Sequence, residues 1–208
     1  ADLPRSPRPG WCRCGGRVGG FSRRSGLLVT MPDAQASIGD DPGLGNDPGL
    51  GNDPGLGPLS LCIEAVFDAP VDTLWQAWTT EQMHAWACPD GYAVEAAEAE
   101  VREGGRWSCQ MRHPVEGVRH VHGTYVAVAP PHRLVLHHQW LRFDPMIGPA
   151  DPPSPQTLVT VTFTPDGPAR TRMTFLHAGF WHPASCAGHE QGWRQGFERL
   201  KGFLAATD

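Results

Sequence analysis

APVDTLWQAWTT, residues 69–80, is the stretch on which the reading of this chain turns. Val71, Leu74, Trp75 and Trp78 fall at i, i+3, i+4 and i+7, one face of a helix, and Pro70 stands where a helix can begin. Immediately upstream the period is different: Leu61, Ile63, Ala65 and Phe67 alternate with Cys62, Glu64 and Val66, a strand with one apolar face. Downstream, Thr79 with Gln82 three residues on has the spacing of a capping box. It predicts a second short helix carrying Met83 and Trp86 and stopping before Pro89. A sheet is therefore started, interrupted by two short helices, and resumed.

From Ala93 the strand period returns. Ala97, Ala99 and Val101 lie on one face, and Gly104 with Gly105 then turns the chain. In the next strand Trp107, Cys109, Met111 and His113 share a face. Residues 118–128 and 133–143 are joined by a tight Ala-Pro-Pro-His connection, which permits a register argument. With Val128 opposite Arg133, Val121 faces Trp140, Gly123 faces His138 and Tyr125 faces Leu136. All of these, with Leu134, then lie on one face, and His120, His122, Thr124 and His137 on the other; a slip of one residue would mix the two sets. After the Pro-rich segment DPMIGPADPPSP, two more strands point Val159, Val161 and Phe163, then Met173 and Phe175, inward. The chain closes with GHEQGWRQGFERLKGFLAA, residues 188–206, in which Trp193, Phe197, Leu200 and Leu204 recur at helical spacing. Gly188 is expected to precede that helix.

Composition bounds the folded part of the 208 residues. Residues 1–58 are rich in Gly, Pro, Asp and Arg and contain DPGLGN from Asp41 and Asp47 and DPGLGP from Asp53, a repeat that reads as a flexible, unfolded linker. The Arg-rich residues 1–30 have a composition open to an organellar transit peptide, but Met31 followed by Pro-Asp-Ala-Gln reads as a start, with residues 1–30 expected to be upstream of the native coding sequence. The domain is expected over 59–208, a size ordinary for one core. Net charge is −5, and no basic stripe interleaved with aromatics suggests nucleic acid. No apolar run reaches the length of a membrane span. Cys12, Cys14, Cys62, Cys88, Cys109 and Cys186 are irregularly spaced, which fits reduced thiols of a cytoplasmic protein better than a metal site or disulfide framework.

The order of elements resembles the helix-grip fold of the SRPBCC superfamily, the START-like and birch-pollen-allergen-like domains. More narrowly it is similar to homologues of the C-terminal domain of the activator of heat-shock-protein-90 ATPase. Carrying the resemblance are Ala69, Pro70, Leu74, Trp75, Ala77, Trp78 and Thr79; Trp86; Gly104 to Trp107; Gly123 and Tyr125; Pro130, Pro131, Arg133 and Leu134; Thr160 to Phe163; Thr171 to Thr174; and Gly188 to Trp193. The segment WACPDGY departs from the family's pattern at Ala87 and Cys88. The resemblance implies an α+β fold, a curved antiparallel sheet of about seven strands wrapped around the C-terminal helix, with a cavity between them. It does not imply one reaction.

Trp86, Trp107, Met111, Tyr125, His138, Trp140, Phe175, Trp193 and Phe197 are the expected ligand-binding residues, and no cofactor or metal is expected. Binding of a small hydrophobic or aromatic molecule, with a role in stress response, is the leading expectation. The alternative is a polyketide-cyclase-like or hydrolase-like enzyme using His138, His113 or His177 as acid and base. A third reading is a protein-interaction module with a protein partner or a second copy. Outward-facing His120, His122 and His137 read as solvent-facing residues.

Overall fold

The computed structural model describes residues 55–141 and 155–207, with the backbone of 143–144 and 148–149 between them. The expectations for the repeat, for Met31 and for Cys12 and Cys14 lie outside the described residues. Nine strands and two α-helices follow in chain order: β1 (Leu59–Phe67), α1 (Val71–Thr79), β2 (Ala93–Ala99), β3 (Arg106–His113), β4 (Gly117–Ala129), β5 (Arg133–Trp140), β6 (Phe143–Asp144), β7 (Gly148–Pro149), β8 (Thr157–Pro165), β9 (Thr171–Phe180) and α2 (Pro183–Ala205). A 3-10 helix, Glu81–Ala85, follows α1. Seven strands form one antiparallel sheet in the order β1-β9-β8-β5-β4-β3-β2, while β6 and β7 pair with each other. This is the α+β helix-grip arrangement, with α2 packed against β1 and β9.

Local chemistry corrects three boundaries. Thr80, not Thr79, caps the 3-10 helix, its hydroxyl accepting the Gln82 N–H at 3.3 Å, while the Thr79 hydroxyl donates back to the Trp75 carbonyl. Helix α2 begins at Pro183, five residues before Gly188, because proline's fixed φ suits a first helical turn and its missing N–H is not needed there. The β4–β5 register holds at Val121↔Trp140 and Tyr125↔Leu136, but Val128 faces Leu134 rather than Arg133. The ladder steps from Tyr125↔Leu136 to Ala127↔Val135, so β4 carries one extra residue, a bulge that the sequence pattern alone does not mark.

The core is organised around the Trp78 indole. Its ring centroid lies 4.8 Å from Trp86, 6.0 Å from Phe163, 6.1 Å from Phe197 and 6.2 Å from Phe175. Leu74, Val159, Val161, Met173 and Leu200 are fully buried around this cluster. Each such side chain contributes roughly 1.5–3 kcal/mol, so the helix that starts the domain and the helix that ends it are joined by one apolar mass. Two glycines of α2 have different reasons to be there. A Cβ on Gly196 would sit 3.3 Å from the Trp86 carbonyl, a close approach, whereas one on Gly202 would meet nothing within 4 Å. Gly202→Ala is therefore expected to stabilise the domain by roughly 0.5–1 kcal/mol, read as a higher urea midpoint. An unchanged or lower midpoint would count against a regular, unobstructed helix at that position.

Candidate functional site

Between the sheet and α2 lies a cavity of about 410 Å³. Its floor is the inward face of β3, β4 and β5, carrying Trp107, Cys109, Met111, Val121, Tyr125, Leu134, Leu136, His138 and Trp140. Its roof is the α2 stretch with His189, Gly192, Trp193 and Gly196, and Trp78 closes one end. Five lining residues, Thr80, Glu81, His84, Glu98 and Ala99, are exposed, which places the mouth between the 3-10 helix and the edge strand β2. Strand pleating produces the floor: Tyr125, Leu136 and His138 face inward because alternate residues do, and the β4 bulge lies beyond them.

Three imidazoles stand behind and beside this floor. His138, His177 and His189 have ring centroids 4.9, 5.3 and 5.5 Å apart and are all buried. Two of them are fixed as single neutral tautomers by their partners. The Trp193 indole N–H donates to His177 Nδ1 at 3.1 Å, so His177 Nε2 carries the proton and donates to the Thr157 hydroxyl at 2.7 Å. That hydroxyl in turn donates to the His138 carbonyl at 2.8 Å. On the other side the Trp140 indole N–H donates to His189 Nε2 at 2.8 Å, leaving His189 Nδ1–H to donate to the Ser185 carbonyl at 2.7 Å. Burial, and next the neighbouring His189, holds His138 well below the ordinary imidazole range; burial, and next His138, does the same for His177. Burial pushes the Tyr125 phenol up to about 12, and burial followed by the nearby Cys88 pushes the Cys109 thiol up to about 12.

Cys88 lines the cavity from the loop after the 3-10 helix. Arg199 donates from Nη1 to the Cys88 carbonyl at 2.9 Å and to its Sγ at 3.1 Å, and pairs with Asp90 at 3.1 Å. The departure at residue 88 thus ties the mouth loop to α2. Among the described residues that line the cavity there is neither a lysine nor an arginine.

Of the expected ligand-binding residues, Trp107, Met111, Tyr125, His138, Trp140 and Trp193 line the cavity. Trp86, Phe175 and Phe197 do not; they fill the core around Trp78, with the Trp86 indole N–H donating to the Ala77 carbonyl at 2.9 Å. Among the expected acid–base candidates only His138 reaches the cavity. His177 sits behind the wall in the chain of hydrogen bonds just described. His113 turns the chain instead, its Nδ1 accepting the Val115 and Glu116 N–H groups at 3.2 and 3.1 Å. Such a side chain closes a turn rather than meeting a guest. On the outward face the His137 Nδ1 lies 3.1 Å from the Thr124 hydroxyl, and no group of three His, Cys, Asp or Glu among the described residues is placed to hold a metal ion. His189 escaped the sequence reading, although it lies within the expected helix and precedes Trp193 by one helical turn.

The family model described as activator of Hsp90 ATPase homolog 1-like protein matches residues 68–205, from the strand–helix junction to the last turn of α2. The chain belongs to this family. The fold recurs in solved structures of the AHSA1 protein from Silicibacter pomeroyi (21% identity over 72% of this chain and 100% of that chain, TM-score 0.61). It recurs also in a Rhodobacter sphaeroides protein (23% identity, 74% and 99%, TM-score 0.59) and an Arthrobacter aurescens protein (25% identity, 71% and 87%, TM-score 0.58). No curated protein matches the sequence. The family fold is one consistent with ligand-binding domains. Among the described residues no helix is long and apolar enough to cross a membrane, and Cys62, Cys88, Cys109 and Cys186 are free thiols.

Proposed function

We propose that residues 59–208 of this family member form a binding domain that takes up a small hydrophobic or aromatic molecule beneath α2. The observation that carries the reading is the cavity itself: about 410 Å³, walled by Trp78, Trp107, Trp140 and Trp193, with its polar groups few and convergent. A space that size in a protein interior costs stability unless something is gained from it, and uptake of an apolar guest is such a gain. His138 could exchange a proton with a bound molecule, but no buried carboxylate stands beside it among the described lining residues, which supports binding over acid–base catalysis.

The test is titration with a neutral hydrophobic dye such as Nile red, compared between the natural protein and Leu136→Trp. Leu136 is half-buried on the cavity floor, so the indole would occupy the space a guest needs. The natural protein is expected to bind the dye at micromolar concentration, and the variant to lose at least about tenfold in affinity while keeping its far-ultraviolet dichroism. Equal uptake by both proteins, or none by the natural one, would remove the basis for the reading.

A further inference from the structure

Two buried polar side chains on the floor of this cavity have no hydrogen-bond partner among the described residues, and the indole N–H of Trp78, which also lines the cavity, is unpaired as well. Tyr125 is 4% exposed and His138 5%, yet neither the Tyr125 hydroxyl nor the His138 ring nitrogens hydrogen-bond another described residue. Tyr125 pairs with Leu136, two residues before His138, so the phenol and the imidazole are diagonal neighbours on the floor, with a backbone separation of roughly 7–8 Å. The neighbouring His177 is fully engaged by the Trp193 indole and the Thr157 hydroxyl, and His189 by the Trp140 indole and the Ser185 carbonyl, which leaves His138 as the one of the three available to a guest.

The charges around the cavity have one sign. Glu81 and Glu98 flank the mouth, the described lining has no lysine or arginine, and Arg199 is already committed to Cys88 and Asp90. A buried carboxylate guest would find no counter-cation, and His138, kept neutral by burial, does not supply one. A wholly apolar guest would expel water from Tyr125 and His138 and leave both unmet, which costs affinity. A guest with one neutral oxygen avoids both penalties, because phenol and neutral imidazole can each donate or accept.

Resting on the binding function proposed above, we infer that the cavity selects a neutral aromatic guest bearing a hydroxyl or carbonyl oxygen, held by Tyr125 and His138, over a carboxylate of the same shape. One hydrogen bond of this kind is worth roughly 3- to 10-fold in affinity.

Displacement of Nile red at pH 7.5 by 2-naphthol, naphthalene and 2-naphthoate tests this directly. 2-Naphthol is expected to displace the dye at a concentration at least about tenfold below either of the others. Tyr125→Phe, which keeps the ring and removes only the hydroxyl, is expected to shrink that advantage roughly threefold, and Tyr125→Phe with His138→Leu to abolish it, with naphthalene changed less than about twofold. Should His138→Leu fail to fold, Tyr125→Phe decides alone. Equal or better displacement by 2-naphthoate, or a 2-naphthol advantage that survives Tyr125→Phe undiminished, overturns the inference. If the dye binds but none of the three displaces it, this inference falls and the proposed function stands; if the dye does not bind at all, both fall.

Discussion

Gly123→Ala is expected to destabilise the domain by roughly 3–4 kcal/mol, combining overpacking against backbone with the loss of a buried hydrogen bond. Gly123 lies opposite Trp107 on β3, and the Trp107 indole crosses it to donate to the His137 carbonyl on β5 at 3.0 Å. A Cβ at residue 123 would sit 1.8 Å from the His137 carbonyl oxygen, 2.6 Å from its carbon and 2.7 Å from the Trp107 indole nitrogen. Two of those three atoms belong to backbone held in a ladder, so neither a rotamer change nor a small shift relieves the clash. The methyl group must part β4 from β5 or expel the indole, and both events open the floor of the cavity. Urea unfolding followed by tryptophan fluorescence measures the change. For a domain of this size the same loss lowers the melting temperature by about 10 °C. A variant within about 0.5 kcal/mol of the natural protein would show that the indole bridge does not hold these strands.

Acid should weaken the protein before its carboxylates protonate. His138 and His177 are neutral in the native state because burial, and then the nearby imidazoles, disfavours the charged form; the titratable groups around them are each other, His189 from α2 and, for His138, His122 on the opposite face of β4. In the unfolded chain each titrates near the ordinary value of about 6.5. The unfolded state therefore binds more protons than the native state as pH falls below about 6.5, and stability must fall with it. The slope approaches about 1.4 kcal/mol per pH unit for each histidine as the unfolded imidazole becomes protonated, so the pair removes up to roughly 3 kcal/mol between pH 6.5 and 5. That is a large part of the 5–15 kcal/mol typical of a whole domain. Above about pH 7 the same two groups should contribute no pH dependence. Urea midpoints measured every half unit from pH 5 to 7.5 test this, and His138→Gln should roughly halve the slope below pH 6.5. A midpoint constant across that window would mean that these imidazoles are solvated or already protonated.

The alternation of Val121, Tyr125, Leu136, His138 and Trp140 was legible in the sequence because a strand has only two faces and only one assignment keeps the apolar residues together. The same logic could not see the extra residue after Tyr125, since a bulge changes pairing without changing composition. Large aromatics were harder to sort. Trp86, Phe175 and Phe197 have the same inward periodicity as Trp107 and Trp193, and which of them border empty space depends on how α1 and α2 meet, a tertiary fact with no local signal. His113 was misleading for a related reason: it lies on the inward face by count, but a strand's last inward residue can bend into the following turn. His189 and Cys88 were legible in principle, one by helical spacing and one by its departure from the family pattern.

The indole–imidazole bonds carry a consequence for how this domain can change over generations. Trp140 and Trp193 border the cavity and also hold His189 and His177, so replacing either to admit a new guest removes part of what keeps the lid on the sheet. Glu81, His84, Glu98 and Ala99 carry no such double duty, being exposed at the opening. Relatives that keep the indoles and vary these four positions could acquire new preferences without losing the frame, and diversification of such a container would proceed from its rim inward.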